Sequence, residues 1–269
     1  MIRVAVRELA PVTMVFLRSG LAAALLVPLA ARRGELRVLF GRWRPLLAYT
    51  AIEVALPWLL LGHAETKLTS SLTGLLIAAV PLVGALIVTL GGERVRLGRR
   101  RWFGLLVGIV GVGAIVGLDV GQIDLLALGE IAVVAVCYAV GPLILAHYMG
   151  GLPALGIVAA SLAISALLYA PLAAANWPST FPSAHVVESI VGLAVVCSAA
   201  AFLIFFALIR EVGPLRAMVI TYVNPAVAAL LGVTLLNERL TVGMVIGFAL
   251  VLAGSILATG GNPEAVAEP

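Results

Sequence analysis

The sequence predicts an all-α polytopic membrane protein with about nine transmembrane helices. Hydrophobic residues make up 62% of the 269 residues, charged residues make up 11%, and the mean hydropathy is +1.17. A soluble domain is about half apolar and about a quarter charged. A globule of this composition lacks the polar groups needed to cover its surface, so a soluble protein, a disordered chain and a coiled coil are excluded.

Nine apolar runs account for most of the chain. A helix needs about 20 apolar residues to cross a hydrocarbon core of about 30 Å. An outer-membrane barrel is excluded because its strands are shorter and alternate with period two. A cleaved signal peptide is the alternative for the first run, but Glu8 and Arg18 fit it poorly. Runs that end at charge, proline or glycine clusters lie at 11–31, 44–64, 70–91, 102–119, 125–147, 153–174, 187–209, 214–236 and 241–260.

Basic residues are unevenly placed along the chain. Five of the 16 arginines lie at 32–44 and five more at 94–101, while the loop between the second and third runs holds only Lys67. The positive-inside rule therefore places both arginine-rich loops in the cytoplasm, the N-terminus outside and the C-terminus inside. Because no basic face on a folded domain accompanies this charge, we expect no nucleic-acid partner.

An internal repeat relates the two halves of the chain. HAETKLTSSLTGLLIAAVP at 63–81 aligns with ALIREVGPLRAMVITYVNP at 207–225, and TLGGER at 89–94 aligns with TLLNER at 234–239. The repeat unit has five helices, an odd number, so the halves cross the membrane in opposite senses, as in many secondary transporters.

The alignment of the two repeats also defines the domain organisation. It pairs the run at 11–31 with that at 153–174, and the Gly-x-x-x-Gly of the fourth run with that of the ninth. We predict a first repeat over 1–119 with four helices, a second over 120–260 with five, and a polar tail at 261–269. The first repeat thus lacks the opening helix that the second possesses.

These segments together resemble the EamA family of the drug/metabolite transporter superfamily. The similarity is carried by RELAPVTMVFLRSGLAAALLVPLA at 7–30, SSLTGLLIAAVPLVGALIVTLGGER at 70–94 and YVNPAVAALLGVTLLNERLTVGMVIGFALVLAGSILA at 222–258. The resemblance implies two inverted five-helix halves and a bacterial exporter of amino acids, other metabolites or toxic compounds. It also implies ten helices, so we expect a native reading frame that extends upstream of Met1 by about 20 apolar residues with a basic flank.

Glu53 is the sharpest candidate for a functional residue. It lies nine residues after Arg44 and fourteen before Lys67, hence near the centre of its span, where a charged carboxylate costs about 2.5–3.5 kcal/mol. Pro57 has no N–H, so it leaves the Glu53 carbonyl without its helical partner. The functional interpretation is a proton- or amine-binding site, and the alternative is a neutral Glu53 hydrogen-bonded within the bundle.

Other polar side chains inside the apolar runs are candidates for substrate contacts. Tyr138, Tyr222 and Asn224 can line a cavity at the repeat interface, with helix-packing hydrogen bonds as the alternative. Trp58 can stack on a substrate, or be a lipid-facing or packing aromatic. Arg18, about 10 Å into its span, can bind a substrate carboxylate or pair with an acidic neighbour; the competing interpretation is snorkelling to the outer surface. Four prolines mark candidate hinges or kinks: Pro57, Pro81, Pro142 and Pro225.

No cofactor and no metal site is predicted. Cys137, Cys197 and the three histidines are scattered without metal-ligand spacing. The glycine-rich stretch at 104–117 lies inside a span, where small residues let helices approach closely. This glycine-rich stretch either packs against another helix of the same chain or forms a homodimer contact. The expected partners are therefore a small-molecule substrate, the lipid bilayer and, under the second interpretation, another copy of the chain.

The sequence favours a secondary transporter that exports small organic solutes by alternating access. An intramembrane enzyme would need a HExxH helix, a serine–histidine pair or paired aspartates inside the spans, and the sequence contains none of these. A non-transporting membrane subunit or a truncated, inactive transporter is the alternative that the missing helix suggests. We expect a multi-pass protein of the cell membrane, namely a bacterial inner membrane.

Cysteine labelling tests the predicted orientation. In a chain with Cys137 and Cys197 changed to Ala, a cysteine placed in the 176–186 loop should react from outside with a membrane-impermeant thiol reagent. A cysteine at 96–100 should react only after permeabilisation, because the arginine-rich loops face the cytoplasm. The reverse labelling pattern would overturn the orientation.

Overall fold

The chain folds into helices throughout the part that the structure describes. The computed structural model describes residues 1–90, 99–117, 124–212 and 220–259, leaving aside the side chains of 88–90, 206, 209, 210, 212, 220–222 and 259. Helices satisfy every backbone group internally, which is what an apolar segment in lipid requires. In chain order they are α1 Ile2–Ala5, α2 Pro11–Arg32, α3 Trp43–Tyr49, α4 Leu56–Ala64, α5 Ser70–Ile77, α6 Val80–Leu90, α7 Arg99–Gly117, α8 Leu125–Tyr148, α9 Ala154–Ala175, α10 Ala184–Ala194, α11 Ala201–Val212, α12 Ile220–Leu236 and α13 Val242–Thr259.

These helices combine into candidate membrane spans that overlap all nine predicted runs. The described residues contain seven long apolar spans and two shorter apolar helices, and so confirm an all-α multi-pass membrane protein. The long spans are Pro11–Arg32, Arg37–Ala64, Ser70–Ile87, Arg99–Gly117, Leu125–Tyr148, Ala154–Ala175 and Ala184–Phe205, and the shorter helices are Val223–Leu236 and Val242–Ala258.

The N-terminal segment contains a short helix. Residues Ile2–Ala5 form one helical turn, α1, which packs against α10. The apolar side chains of this segment pack against the core of the first cluster of helices, and Ala5 is fully buried.

Pro81 breaks its span into two helices. The run predicted at 70–91 consists of α5 and α6, because Pro81 cannot donate a hydrogen bond to the preceding turn. The N–H groups of Ala78 and Ala79 bond three residues back, to the carbonyls of Leu75 and Leu76 at 3.2 and 3.1 Å. The predicted kink is therefore a tight turn of backbone within the span.

Two other spans each contain a π-helical segment. Thr50–Ala55 joins α3 to α4, and Val195–Ala200 joins α10 to α11. At the end of each segment a backbone N–H bonds five residues back: that of Leu56 to Ala51, and that of Ala201 to Val196. π-Helical turns occur frequently at functional sites. The two segments lie in spans that the sequence repeat pairs with each other.

Packing divides the chain into two compact units. The first unit consists of Met1–Leu68 and Leu126–Ile220, and the second consists of Thr69–Leu125 and Thr221–Pro269. Each unit thus takes helices from both halves of the sequence, so the predicted repeats are not the packing units.

In the first unit, α2 packs along α9. The Thr13 hydroxyl donates to the Asn176 carbonyl at 3.1 Å, and the Ser19 hydroxyl donates to Ser165 at 3.3 Å. Hydrogen bonds of this kind between membrane helices average about 0.6 kcal/mol. The residue numbers of the contacting residues increase along α2 as they decrease along α9, so the two helices are antiparallel.

In the second unit, α7 packs along α13 through glycines. A Cβ added at Gly104 would lie 2.5 Å from the Ala258 nitrogen, and one added at Gly111 would lie 2.7 Å from the Val251 nitrogen. These two helices are also antiparallel. The glycine face of α7 is therefore used for packing within the chain, the first of the two predicted interpretations.

Three glutamates cap helix N-termini that lie far away in sequence. Glu238 accepts hydrogen bonds from the backbone N–H groups of Ser70 and Ser71 and from the Ser71 hydroxyl, at 2.6–2.9 Å. Glu35 accepts from the Gly156 N–H at 2.9 Å, at the start of α9. Helix N-termini leave unpaired N–H groups that a carboxylate satisfies.

The third cap lies before α10, outside the membrane-spanning segments. Glu8 accepts from the hydroxyl and the backbone N–H of Ser183, at 2.6 and 2.7 Å. The hydroxyl hydrogen bond, followed by the backbone one, holds the pKa of the Glu8 carboxyl below its usual value. These bonds fasten the loop before α2 to the start of α10.

The glycine contact predicts a position-dependent cost of adding a methyl group. Gly104→Ala places a Cβ against the α13 backbone and should lower stability by about 1–3 kcal/mol. Gly113→Ala, on the same helix, meets no atom within 4 Å and is the matched control. Thermal denaturation in detergent should show a lower Tm for Gly104→Ala only; equal Tm values for both variants would contradict this packing.

Candidate functional site

Glu53 lies in the first π-helical segment, with one carboxylate oxygen sealed inside the first unit. Its Oε2 atom is buried and has no hydrogen-bond partner among the described residues. The carboxyl group faces Gly141 of α8 so closely that a Cβ at that position would overlap Oε2. An unpaired buried carboxyl is costly, and in a membrane protein it is a candidate functional position.

Tyrosines from two helices surround this carboxyl group. Tyr49 of α3 is 4% exposed, and Tyr138 of α8 lies one turn before Gly141. Both side chains interact electrostatically with Glu53, as does Cys137. The environment of Glu53 is thus a small polar region inside an otherwise apolar bundle.

Arg18 forms a second polar centre in the same unit. Its side chain is 7% exposed, and its guanidinium carbon lies 3.5 Å from the ring centroid of Trp58, a cation–π contact. Its Nε donates to the Ser198 hydroxyl oxygen at 2.9 Å. Ser198 in turn donates to the Leu193 carbonyl at 2.8 Å, so its lone pairs are free to accept from Arg18.

Tyr138 connects the two centres. A side-chain hydrogen bond joins it to Trp58, and it interacts electrostatically with both Arg18 and Glu53. Because the indole nitrogen of Trp58 is only a donor, the Tyr138 oxygen accepts this bond. The site therefore places a cation, a carboxyl group, an indole ring and a phenol within one cluster, which we call the polar cluster: Arg18, Glu53, Trp58, Tyr138 and Ser198.

A histidine–glutamate pair lies at the end of α4. His63 Nδ1 is 2.7 Å from Glu130 Oε1, and the His63 side chain is about half exposed. Glu130 shares a face of α8 with Tyr138, two turns further along the helix. This face of α8 thus carries polar groups from the surface inward to Glu53.

The structure brings together four of the six predicted substrate residues. In the first unit Arg18 lies over Trp58, and Tyr138 interacts with Trp58, Arg18 and Glu53, whereas Asn224 is exposed on α12. The Tyr222 side chain lies outside the described side chains, and cavity lining by that residue stays a prediction.

Two of the competing interpretations are wrong. Arg18 does not snorkel to the surface, because its guanidinium is held inside the unit by Ser198 and Trp58. Trp58 does not face lipid, since it is 4% exposed. Both side chains are instead buried against each other.

The prolines occupy different structural positions. Pro57 is buried in the first turn of α4, directly after the π-helical segment that carries Glu53. Pro142 and Pro225 lie inside the continuous helices α8 and α12. Only Pro81 coincides with an interruption of the helix.

Sequence reasoning missed Ser198, Gly141 and the His63–Glu130 pair. Ser198 occupies the second π-helical segment at the place where the first holds Glu53, a correspondence that only the structure reveals. Gly141 becomes informative only when the facing carboxyl group is known. His63 and Glu130 are far apart in sequence, and no local pattern joins them.

Ionisable groups buried inside membrane spans are typical of proteins that move ions or solutes across a membrane. The model of the EamA-like transporter family matches residues 1–117 and 125–260, and the chain belongs to that family. A solved crystal structure shares the fold with a TM-score of 0.66 and 20% sequence identity, covering 95% of this chain and 89% of the other. A comparison with curated proteins finds no significant match.

The contact between Gly141 and Glu53 predicts a coupled pair of substitutions. Gly141→Ala forces the carboxyl group to move and should cost about 1–3 kcal/mol of stability. Gly129→Ala on the same helix meets no atom within 4 Å and controls for the change in helix propensity.

A double-mutant cycle measured by thermal denaturation in detergent checks this coupling. In a Glu53→Ala background the cost of Gly141→Ala should shrink, since the obstructing carboxyl group is gone. Additive effects of the two substitutions would show that the side chains do not touch.

Proposed function

We propose that this protein is a secondary transporter that exports small organic solutes by alternating access, with its solute site at the polar cluster. The observation that carries the proposal is the buried, unpaired carboxyl oxygen of Glu53 beside Tyr138 and Gly141. A group of this kind costs stability, and it is retained where it binds a proton or a ligand.

Glu53 is the coupling residue in this proposal. A carboxyl group in an apolar span is neutral when it holds a proton, and it gains a partner when a cationic solute replaces that proton. Because the proton and the cationic solute compete for the same carboxyl group, binding of the solute is coupled to release of the proton. The electrostatic contact with Tyr138 passes the change on to Trp58 and Arg18.

The π-helical segments provide the local freedom that alternating access needs. Thr50–Ala55 and Val195–Ala200 carry Glu53 and Ser198, and in both segments backbone hydrogen bonds reach five residues back. Buried Pro57 follows the first segment and removes one further donor. Small changes in these turns would reorient both side chains without unfolding their spans.

The packing of paired helices supports an inverted-repeat architecture for the transporter. The sequence repeat pairs α2 with α9 and α7 with α13, and each pair packs in antiparallel fashion within its unit. Inverted repeats give secondary transporters two states of similar energy that face opposite sides of the membrane. The proposal includes two further points that follow the family resemblance: the protein lies in a bacterial inner membrane, and it transports its solute outward.

Flux through proteoliposomes tests the function. Purified protein is screened with a panel of labelled amino acids, other metabolites and cationic drugs under an imposed proton gradient. Glu53→Gln keeps the side-chain shape but cannot titrate, and it should lower the flux of any transported solute by about tenfold or more. Glu188→Gln, at a highly exposed position, is the control and should transport normally.

Three outcomes are distinguished by the flux measurements. Flux that depends on Glu53 supports the proposal. Equal flux in Glu53→Gln and the native chain makes Glu53 a structural residue. No flux of any panel member in the well-folded native chain favours a non-transporting membrane subunit.

A further inference from the structure

The guanidinium of Arg18 is a buried cation that no carboxylate of the described residues contacts. Within the described residues, no carboxylate lies within 4 Å of it, and its one hydrogen bond is from Nε to the neutral Ser198 hydroxyl. The two terminal amino groups donate to no described residue. Buried charges in proteins are ordinarily paired, and an unpaired one in a span is expensive.

The neighbours of Arg18 compensate only part of this charge. The Trp58 ring at 3.5 Å provides a cation–π contact. Glu65, Tyr138 and Cys197 act on the guanidinium through electrostatics at longer range. The contacts with Trp58 and Ser198 hold the flat face and the Nε atom of the guanidinium, and no described residue bonds to its outer fork.

The geometry of that fork matches one class of ligand. Two parallel N–H donors on a planar cation bind a carboxylate in bidentate fashion, and such bonds are about twice as strong as neutral ones. Because Ser198 fixes Nε and Trp58 fixes the plane, the fork is oriented before any ligand arrives. This preorganisation lowers the entropic cost of binding.

We infer that the terminal amino groups of Arg18 bind a carboxylate of the transported solute, which makes this protein a carrier of carboxylate-bearing solutes. That the bound solute is transported rests on the proposed function, whereas the binding site itself rests on the contacts of Arg18. The carboxylate docks over the rim of Trp58, and the remainder of the solute extends toward Tyr138 and Glu53. Both a simple organic acid and a zwitterion supply the required group.

Binding to the purified protein in detergent tests this inference without any need for transport. The probes are acetate, 4-methylpentanoate and leucine, each paired with its uncharged or cationic amide: acetamide, 4-methylpentanamide and leucinamide. Calorimetry and the rise in Tm should show that the carboxylates bind more tightly than their amides by about tenfold or more, since hydrogen bonds to a charged group are lost in the amides.

Variants at the site identify the cation responsible. Arg18→Gln should abolish the preference for carboxylates, and Arg18→Lys should weaken it because a point charge replaces the fork. Ser198→Ala frees Nε and should lower carboxylate affinity severalfold while the charge remains. Arg44→Gln is the matched control, because Arg44 also packs over a tryptophan, Trp43, at 5.2 Å but is exposed.

Each outcome of these binding measurements either supports or overturns the inference. Loss of the preference in Arg18→Gln, with Arg44→Gln unchanged, supports the inference; binding of leucine alone assigns the carboxylate to a zwitterion, and binding of 4-methylpentanoate as well assigns it to organic acids in general. Equal binding of carboxylates and amides by the native chain, or no binding of either, overturns it. If Arg18→Gln does not fold, unchanged affinity in both Arg18→Lys and Ser198→Ala overturns it equally.

The inference and the proposed function fail separately. Carboxylate binding through Arg18 without flux in liposomes would leave the binding site standing and remove the transporter. Flux that requires Glu53 but is indifferent to Arg18→Gln would leave the transporter standing and remove the carboxylate site.

Discussion

Lipid offers no hydrogen-bond partner, and this constraint governs the rest of the structure. Every backbone group in a span must be satisfied within the chain. The helices achieve this along their length but not at their N-termini, where α5, α9 and α10 each receive a glutamate from a distant segment. Arg42 does the same at a C-terminus, donating to the Tyr148 carbonyl at 3.0 Å. Charged side chains thus fasten helix ends that are remote in sequence.

The polar cluster is one of the places in the described chain where buried side-chain groups are not fully satisfied. Glu53 has a sealed oxygen without a partner, and Arg18 has a charge without a counter-ion among the described residues. Arg18 lies over Trp58, and Tyr138 interacts with Trp58, Arg18 and Glu53 in the same packed unit. These two incompletely satisfied groups are the reason for proposing a binding site there.

Composition and periodicity were enough to predict the spans, because length and apolarity alone decide whether a helix can cross a bilayer. Glu53 was found for the same reason, since a carboxyl in mid-span is visible without a structure. Ser198 and Gly141 were not found, because a hydroxyl or a glycine in a span is ordinary until its neighbour is known. Arg18 was found with three interpretations, and its contacts with Ser198 and Trp58 excluded the surface. The π-helical segments have no sequence signal that distinguishes them from regular helix.

The division into two units has a consequence for how the chain is made. The first unit needs α2 to pack along α9, yet α5, α6 and α7 are synthesised between them and belong to the second unit. During synthesis α2 therefore enters the membrane long before the helix that covers its polar face exists. During that interval Thr13 and Ser19 lack their partners Asn176 and Ser165, and Arg18 lacks Ser198, which is synthesised later still. Assembly of the core is thus a late event, which completes only when residues beyond 150 have joined the bilayer.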